Sequence, residues 1–529
     1  MSKFPALSAY PVGAPGTLAE TLWLNARHFG ARTAVATAIG TLTHADLFRR
    51  GHRLAAALGD AGIGRSDRVA MLSMNRTEMA EIYAATELSG IPVVPLNFRL
   101  SAAEQIRILE DSRPALVFFE ERYADLVAEI RPRLPADLQW VCIGTATDWA
   151  EDYETFAARA QPFRNWSAFE PASLACILYT SGTTGEPKGV MHTHAGFRAL
   201  GSLMTLKMGL TASDRGLIMM PLFHMGGKSV QLGVHWSGGT LFVHDRFDPA
   251  HIAETIARER ITMVHMAPTM IQALLDEPGL SRRDLSSLRV VFYSAAPMAE
   301  PVLRRGLDLL GPVFVQSYGQ TEGSGTVLPA ACHLPDGSPE DRRRLVSVGV
   351  PPRGVDIRVV RDTGAPCAPG EPGEVLLQTP CAMAGYWNNP AATADALQDG
   401  WLRTGDVGYR DEAGFLFLVD RKKDVIISGG ENIYTREVEN VLLAHAGVAD
   451  AAVIGVPHEK WGEAVCAVIV PQAGARLSAV DIEAHCRSLI ASYKRPQVVH
   501  FTDDMPRLAS GKVDKKVLRR RFGAGLGVQ

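Results

Sequence analysis

Through residue 330 the chain alternates short runs of consecutive apolar residues with longer stretches whose apolar positions recur every three to four residues. DRVAMLSM (67–74), IPVVPL (91–96), ALVFF (115–119), TLFVHD (240–245), TMVHMAP and LRVVFYSAAP read as strands. The stretches between them read as helices. Thr43-His44-Ala45-Asp46 has capping-box spacing and opens a helix that ends near Gly59. Further helices are predicted over Thr77 to Glu87, Ser101 to Glu110, and from Asp248-Pro249 to Arg260. Strands without polar alternation are covered on both faces, so these βα repeats imply buried, mostly parallel sheets.

After about residue 345 the pattern changes. VDIRVV, GEVLLQT and GFLFLV are short strands punctuated by Gly, Pro and Asp, which suggests a smaller and more antiparallel β unit at about 345–420. A charged stretch, VDRKKDVIISGGENIY, runs into a glycine pair. Beyond it lie a helix (435–446), strands AAVIGV and AVCAVIV, a helix (478–491) and a basic tail helix. The expected fold is α/β: a large N-terminal domain of βα-built sheets plus the smaller β unit (1–421), and a small α+β C-terminal domain (422–529).

Composition narrows the function. Apolar residues make up 47% and charged residues 21% of 529, an ordinary globular balance. Fifty-four basic against 57 acidic side chains leave a net charge of −3, which argues against nucleic acid or an anionic membrane as the main partner. The tail KKVLRRRFG then reads as a solvated helix face. Seven cysteines with no C-x-x-C spacing give neither a disulfide framework nor a cysteine zinc site, so a reducing, cytoplasmic compartment is the default. The proline-broken N-terminus has no signal-peptide core, no apolar run reaches the ~18 residues of a spanning helix, and GLGVQ is no lipidation or peroxisomal signal.

The candidate chemistry begins at Leu178-Tyr179-Thr180-Ser181-Gly182-Thr183-Thr184-Gly185-Glu186-Pro187-Lys188-Gly189-Val190. A buried-type strand runs into small and hydroxylic residues and then a lysine. Glycines free the backbone to wrap a phosphate, hydroxyls and N–H groups donate to it, and Lys188 supplies a cation. Pro187 and Gly189 stand where a Walker A loop needs Gly and Ser or Thr, so this is a different phosphate loop.

The string resembles the phosphate loop of the adenylate-forming superfamily, which includes acyl-CoA synthetases, nonribosomal adenylation domains and beetle luciferases. The resemblance continues through Ser317-Tyr318-Gly319-Gln320-Thr321-Glu322, Trp401-Leu402-Arg403-Thr404-Gly405-Asp406, Asp420-Arg421-Lys422-Lys423-Asp424, Ser428-Gly429-Gly430-Glu431-Asn432 and Pro506-Arg507-Leu508-Ala509-Ser510-Gly511-Lys512. Leu508 departs from the threonine often found in the last of these.

The resemblance implies that a carboxylate attacks the α-phosphate of ATP, releasing pyrophosphate and leaving an acyl-adenylate. Both partners are anions, so the site must supply positive charge and hold them in line. By resemblance, Lys188 and the loop Thr180, Ser181, Gly182, Thr183, Thr184 and Gly185 would hold the β and γ phosphates, and Glu322, with Thr180, would bind Mg²⁺. Tyr318 would stack on adenine, in a pocket lined by Gln316, Ala295, Ala296 and Pro297, with Gly319, Gln320 and Thr321 also at the nucleotide. Asp406 and Arg421 would hold the ribose, and Lys512 would bridge the carboxylate and the α-phosphate. Relatives rotate the C-terminal domain between half-reactions, which makes that domain mobile and Lys423 the expected hinge.

Pro221-Leu222-Phe223-His224-Met225-Gly226-Gly227 resembles the CoA-ligase form of its segment, with His224 near the acyl carboxylate and thiol channel. Ser428, Gly429, Gly430 and Glu431 also match the CoA-ligase form, where bare backbone lets a pantetheine arm pass. Ala491 to Pro496 and Gly385 to Pro390 fit the same branch. The expectation is an AMP-forming acyl-CoA ligase using ATP, Mg²⁺ and coenzyme A on a small carboxylic acid, with a homodimer possible. Delivery to a carrier protein is the alternative within enzymes, and a catalytically dead scaffold the alternative outside them. The acyl pocket is expected from His224, Gly227, Lys228, Ser294, Gly319 and Gly323.

Lys228 stands where several fatty-acid-activating relatives carry an aromatic gate. A buried ammonium needs an acidic or polar partner, which leaves three readings: a second polar group on the substrate, a protein carboxylate, or solvent at the pocket mouth. His192 and His194 form an H-x-H pair; with no third ligand in reach by sequence, a surface pair on a strand or helix start is expected over a metal site.

Overall fold

The computed structural model describes residues 15–145, 147–159, 169–180, 187–294, 298–428, 431–458, 461–487, 489–508 and 513–523. The chain forms two compact units, residues 1–357 with 377–403, and residues 358–376 with 404–529.

The first unit is built on two eight-stranded sheets. One runs Gly323–Leu328, Phe314–Gln320, Val290–Ser294, Met263–Met266, Arg215–Ile218, Thr240–Val243, Thr33–Thr37, Gly40–Thr43. Its interior pairings are parallel, and the two edge pairings are antiparallel. The other runs Gly385–Tyr386, Lys188–Thr193, Leu174–Thr180, Val93–Pro95, Val69–Leu72, Leu116–Glu120, Gln139–Ile143, Glu151–Asp152. It is parallel except at the hairpin 174–193 and the short strand beyond it. Val69–Leu72 and Leu116–Glu120 are buried at every position, as unalternated apolar runs require.

Local signals set the helix starts. Thr43 caps the helix His44–Asp60 by accepting from the Asp46 N–H at 3.0 Å, while the Asp46 carboxylate accepts from the Thr43 N–H at 3.3 Å. Asp248 caps Pro249–Glu259 from one side only, its carboxylate accepting from the His251 N–H at 3.1 Å. Thr77–Ser89 is buried along almost its whole length and closes at Gly90, whose φ of 74° suits glycine. That helix, with His44–Asp60, His194–Met208 and Met225–Trp236, forms the inner layer between the sheets: His194–Met208 touches Leu174–Thr180 and Lys188–Thr193 of one and Phe314–Gln320 of the other. Pro249–Glu259, Pro268–Leu275 and Glu300–Leu310 cover the outer face of the first sheet through Ile252, Ile256, Ile271, Leu274 and Leu303. Ala102–Ser112 and Ala124–Ile130 cover the outer face of the second through Ile106, Leu109, Val127 and Ile130.

In the second unit, residues 406–410 pair antiparallel with 416–421. A further sheet runs Glu431–Ile433, Ile426–Ser428, Gly462–Pro471, Val448–His458, with Val498–Phe501 alongside Gly462–Pro471. Val453, Val465, Ala467 and Ile469 face Val438, Leu442 and Ile482 of the helices Thr435–Leu443 and Ala479–Arg487. Ala452, Ile454, Cys466 and Val468 face Leu518 of the helix Lys515–Phe522. The period of two along each strand thus feeds two cores. Among the described residues, no helix is long and apolar enough to cross a membrane.

Candidate active site

The phosphate-loop string is a β-hairpin, and Thr180 and Lys188 are its last paired residues before 181–186. Ser181, Gly182, Thr183, Thr184 and Gly185 lie outside the described residues, as do Ala295, Ala296, Pro297, Gly429, Gly430 and Lys512. The base of the hairpin is fixed by packing and by one carboxylate. A Cβ on Gly189 would lie 2.8 Å from Ile177 and 3.1 Å from both Trp387 and Tyr179, so only glycine fits. Asp111 accepts from the Tyr179 hydroxyl at 2.5 Å, and its carbonyl accepts from the Trp387 indole at 3.1 Å. Burial and the Asp111 carboxylate together push the Tyr179 hydroxyl well above its usual pKa, so it stays a donor.

Lys188 and Glu322 are brought to one aromatic ring. The Lys188 ammonium sits 4.9 Å from the centre of the Tyr386 ring, and the Tyr386 hydroxyl donates to Glu322 Oε1 at 2.9 Å. Glu322 occupies the turn between Phe314–Gln320 and Gly323–Leu328, half-buried, and no described basic side chain pairs with it. A half-buried carboxylate without a cationic partner is a fitting ligand for an oxygen-seeking divalent cation. The Thr180 hydroxyl lies on the same hairpin as Lys188, 3.5 Å from the Lys188 carbonyl that it faces.

The neighbouring strand carries the remaining nucleotide candidates of the first unit. Gln316 is buried, with its side-chain oxygen 3.5 Å from the Tyr293 hydroxyl. Tyr318 is also buried, and its ring covers Gly325, where a Cβ would meet it at 3.1 Å. Gly319 is exposed and pairs with Ser324, while Gln320 and Thr321 are half-buried at the turn.

Among the acyl-pocket candidates, His224 is the exposed N-cap of Met225–Trp236, and its Nδ1 accepts from the Gly226 N–H at 3.1 Å. That bond leaves the ring proton on Nε2. Gly227 has no room for a side chain: a Cβ would be 2.5 Å from the Pro221 carbonyl oxygen. Gly323 is packed against Leu402, 2.9 Å from its missing Cβ. Ser294 meets a residue that sequence reasoning passed over, His265, whose Nε2 is 3.0 Å from the Ser294 Oγ. His265 is buried, its ring edge lies 3.6 Å from where a Gly226 Cβ would sit, and burial lowers its pKa to about 4. The signal available in the sequence was a polar residue inside the apolar run TMVHMAP.

Lys228 finds its partner inside the protein. Its ammonium is 2.8 Å from Glu87 Oε1 and 3.5 Å from the centre of the Tyr83 ring, with 1% of the side chain exposed. The protein-carboxylate reading therefore describes it, and solvent at a pocket mouth does not. His192 and His194 differ from their expected surface position. His192 stacks on Phe197 and His194 packs on Phe169, both fully buried, because Lys188–Thr193 is an interior strand and the following helix lies between the sheets. Desolvation lowers their pKa values to about 4 and about 3. Among the described residues no group of three His, Cys, Asp or Glu side chains is placed to hold a metal.

In the second unit Asp406 and Arg421 face each other across a strand pair, Arg421 Nε to Asp406 Oδ1 at 2.5 Å, with Asp406 buried and Arg421 half-exposed. Ser428 and Glu431 pair at the end of their hairpin, on either side of 429–430. Lys423 is exposed in the connection between Leu416–Arg421 and Ile426–Ser428.

The AMP-binding enzyme model matches residues 22–387, and the AMP-binding enzyme C-terminal domain model matches residues 437–512. The chain belongs to the AMP-binding enzymes. It is 39% identical to a feruloyl-CoA synthase of an Amycolatopsis species over 93% of this chain and 96% of that one. It is 37% identical to the fatty acid–[acyl-carrier-protein] ligase ScoC of Streptomyces coeruleorubidus over 96% of both. The structure of the amide bond synthetase McbA from Marinactinospora thermotolerans is similar with a TM-score of 0.85, at 32% identity, over 96% of this chain and 100% of that one. The chain is thus an adenylate-forming enzyme of the acyl-CoA synthetase branch, an AMP-forming acid–thiol ligase.

Proposed function

We propose that the protein activates a small carboxylic acid with ATP and passes the acyl group to the thiol of coenzyme A. The observation that carries this reading is the pair of unlike charges at Tyr386: a lysine at the base of a phosphate-loop hairpin and a carboxylate with no basic partner among the described residues. Lys188 offsets phosphate charge. Glu322, with the Thr180 hydroxyl, would hold Mg²⁺, which when bound supplies charge neutralisation between phosphates. In the first step a carboxylate oxygen attacks the α-phosphorus and pyrophosphate leaves; Lys512 spans the two reacting anions. In the second step the sulfur attacks the acyl carbonyl, the thiol proton is lost and AMP leaves.

Tyr318 and Gln316, with 295–297, take the adenine side, and Asp406 and Arg421 take the ribose hydroxyls. His224 presents an Nε2–H at the acyl side. The Ser428–Glu431 hairpin, with Gly429 and Gly430, admits the pantetheine arm, and Lys423 is the hinge about which the C-terminal domain moves between steps. Transfer to a carrier protein is a second reading, favoured by the likeness to ScoC. Pyrophosphate and thioester are measured over a panel of carboxylic acids, with and without coenzyme A. Thioester made only when coenzyme A is present is the expected result. Pyrophosphate without any coenzyme A thioester would move the acceptor to a carrier protein, and no pyrophosphate from any acid would overturn the proposal.

A further inference from the structure

Lys207 is the last basic residue of the helix His194–Met208, and its ammonium is buried in the inner layer of the first unit. Two of its three N–H bonds are assigned: Nζ donates to Ser317 Oγ and to Ser324 Oγ, each at 2.9 Å. The Ser317 hydroxyl passes its own proton to the Thr326 carbonyl at 3.0 Å, so its oxygen is held as an acceptor toward the lysine. No described carboxylate pairs with Lys207, in contrast to Lys228 one helix away, which has Glu87. A buried ammonium answered only by hydroxyls keeps one unused N–H and a full uncompensated charge.

Its place gives that charge a use. Ser317 and Ser324 lie on the paired strands Phe314–Gln320 and Gly323–Leu328, and Ser324 stands directly opposite Gly319. Gly319 and Gly323 are among the residues that the family resemblance assigns to the acyl pocket, and the inference rests on that assignment and on the ligase function proposed above. These positions have no side chain of their own to reach the lysine. The serines hold the ammonium in place beside these two glycine-bearing strands, as two short fixed acceptors do.

We infer that Lys207 reads the acid substrate, and that the substrate class is carboxylic acids carrying a second oxygen acceptor, a carboxylate or a phenolic hydroxyl, at the end distal to the reacting carboxylate. Such an oxygen takes the third N–H in a charge-assisted bond. An acid lacking it leaves the ammonium unpaired, and a site built for a polar group rejects the bare analogue more strongly than an apolar pocket rejects an extra group. Desolvation lowers the Lys207 pKa to about 8, opposed by the nearby buried Cys381 thiol. The ammonium therefore carries its charge at neutral pH and loses it as pH rises through that value.

The test is pyrophosphate release on matched acids: cinnamate, 4-hydroxycinnamate and 4-carboxycinnamate, and adipate against hexanoate. Wild-type enzyme is expected to favour the distal-oxygen member of a pair by about 10- to 100-fold in kcat/KM, mostly through KM. Lys207→Met should collapse that ratio to within about threefold. Lys207→Gln, which keeps hydrogen bonding to both serines but not the charge, should lose the preference for the carboxylate while keeping part of that for the hydroxyl. Wild-type selectivity should itself decline between pH 7 and 9, an arm that needs no variant. Activity on these acids with no distal preference in the wild type, or a ratio unchanged in Lys207→Met, overturns the inference and leaves the ligase reading standing. No pyrophosphate from any acid in the wider panel overturns both. Hydroxyl and carboxylate pairs tested separately tell which oxygen the site takes.

Discussion

Removing Lys228 should be among the most damaging single changes available in the inner layer. Its ammonium is 2.8 Å from Glu87, and the two side chains are 1% and 9% exposed. Lys228→Met conserves the length and apolar bulk of the stem, so little of the effect comes from a cavity. What remains is a carboxylate on the core helix Thr77–Ser89 with its partner gone. Breaking a buried pair on one side costs about 3–5 kcal/mol, and the lost contact of the ammonium with the Tyr83 ring adds about 1 kcal/mol. In a unit of this size 1 kcal/mol moves Tm by about 1–1.5 °C, so the combined loss of about 4–6 kcal/mol is expected to lower Tm by about 4–9 °C in calorimetry. Replacing both charges is a different perturbation. Lys228→Met with Glu87→Leu leaves no buried charge and should recover most of the loss, because a buried ion pair exchanged for apolar groups is often near neutral. If Lys228→Met melts within 1 °C of wild type, or the double variant is less stable than the single, the pair is not the closed structural unit described. Adenylation selectivity should follow Lys207 and not Lys228, which separates the two buried lysines by function.

Three further outcomes follow from the same structure. Acid should destabilise the first unit early: His192, His194, His235 and His265 have pKa values lowered by burial to about 3–4, so between pH 6.5 and 4 the unfolded chain binds protons that the folded one refuses. Each adds a slope of up to ~1.4 kcal/mol per pH unit, the effect dies away above about pH 7.5, and a Tm that stays constant from pH 7 to 5 would contradict it. Tyr386→Phe removes the bond to Glu322 and should raise the Mg²⁺ concentration needed for half-maximal pyrophosphate release by about 3- to 10-fold with a smaller change in kcat, whereas a purely structural tyrosine would lower Tm and leave the Mg²⁺ dependence alone. Lys512→Ala should slow adenylate formation by ~10²–10³ and leave thioester formation from supplied acyl-adenylate nearly unchanged; equal loss in both steps would remove it from the first transition state.

Much of this protein is legible in its sequence, for a local reason. The capping box at Thr43, the apolar runs at 69–72 and 115–119, and the Asp248-Pro249 helix start each depend on neighbours within a few positions. The Ser/Thr/Gly loop followed by lysine is likewise a contiguous string, because wrapping a phosphate takes consecutive backbone N–H groups. Chemistry concentrated in short stretches survives the loss of all other information.

The partners of single charged residues were decided only by the tertiary structure. Lys207 and Lys228 look alike in sequence, yet one meets Glu87 and the other two serine hydroxyls, because the helices that carry them pack against different neighbours. His192 and His194 read as a surface pair until the strand before them proved interior and the helix after them was placed between the sheets. Tyr386 joins Lys188 to Glu322 across most of the first unit, since Gly385–Tyr386 is laid against Lys188–Thr193 as an added strand. Burial, and the choice of which carboxylate or hydroxyl answers a buried charge, depends on long-range packing, and no window of local sequence contains it.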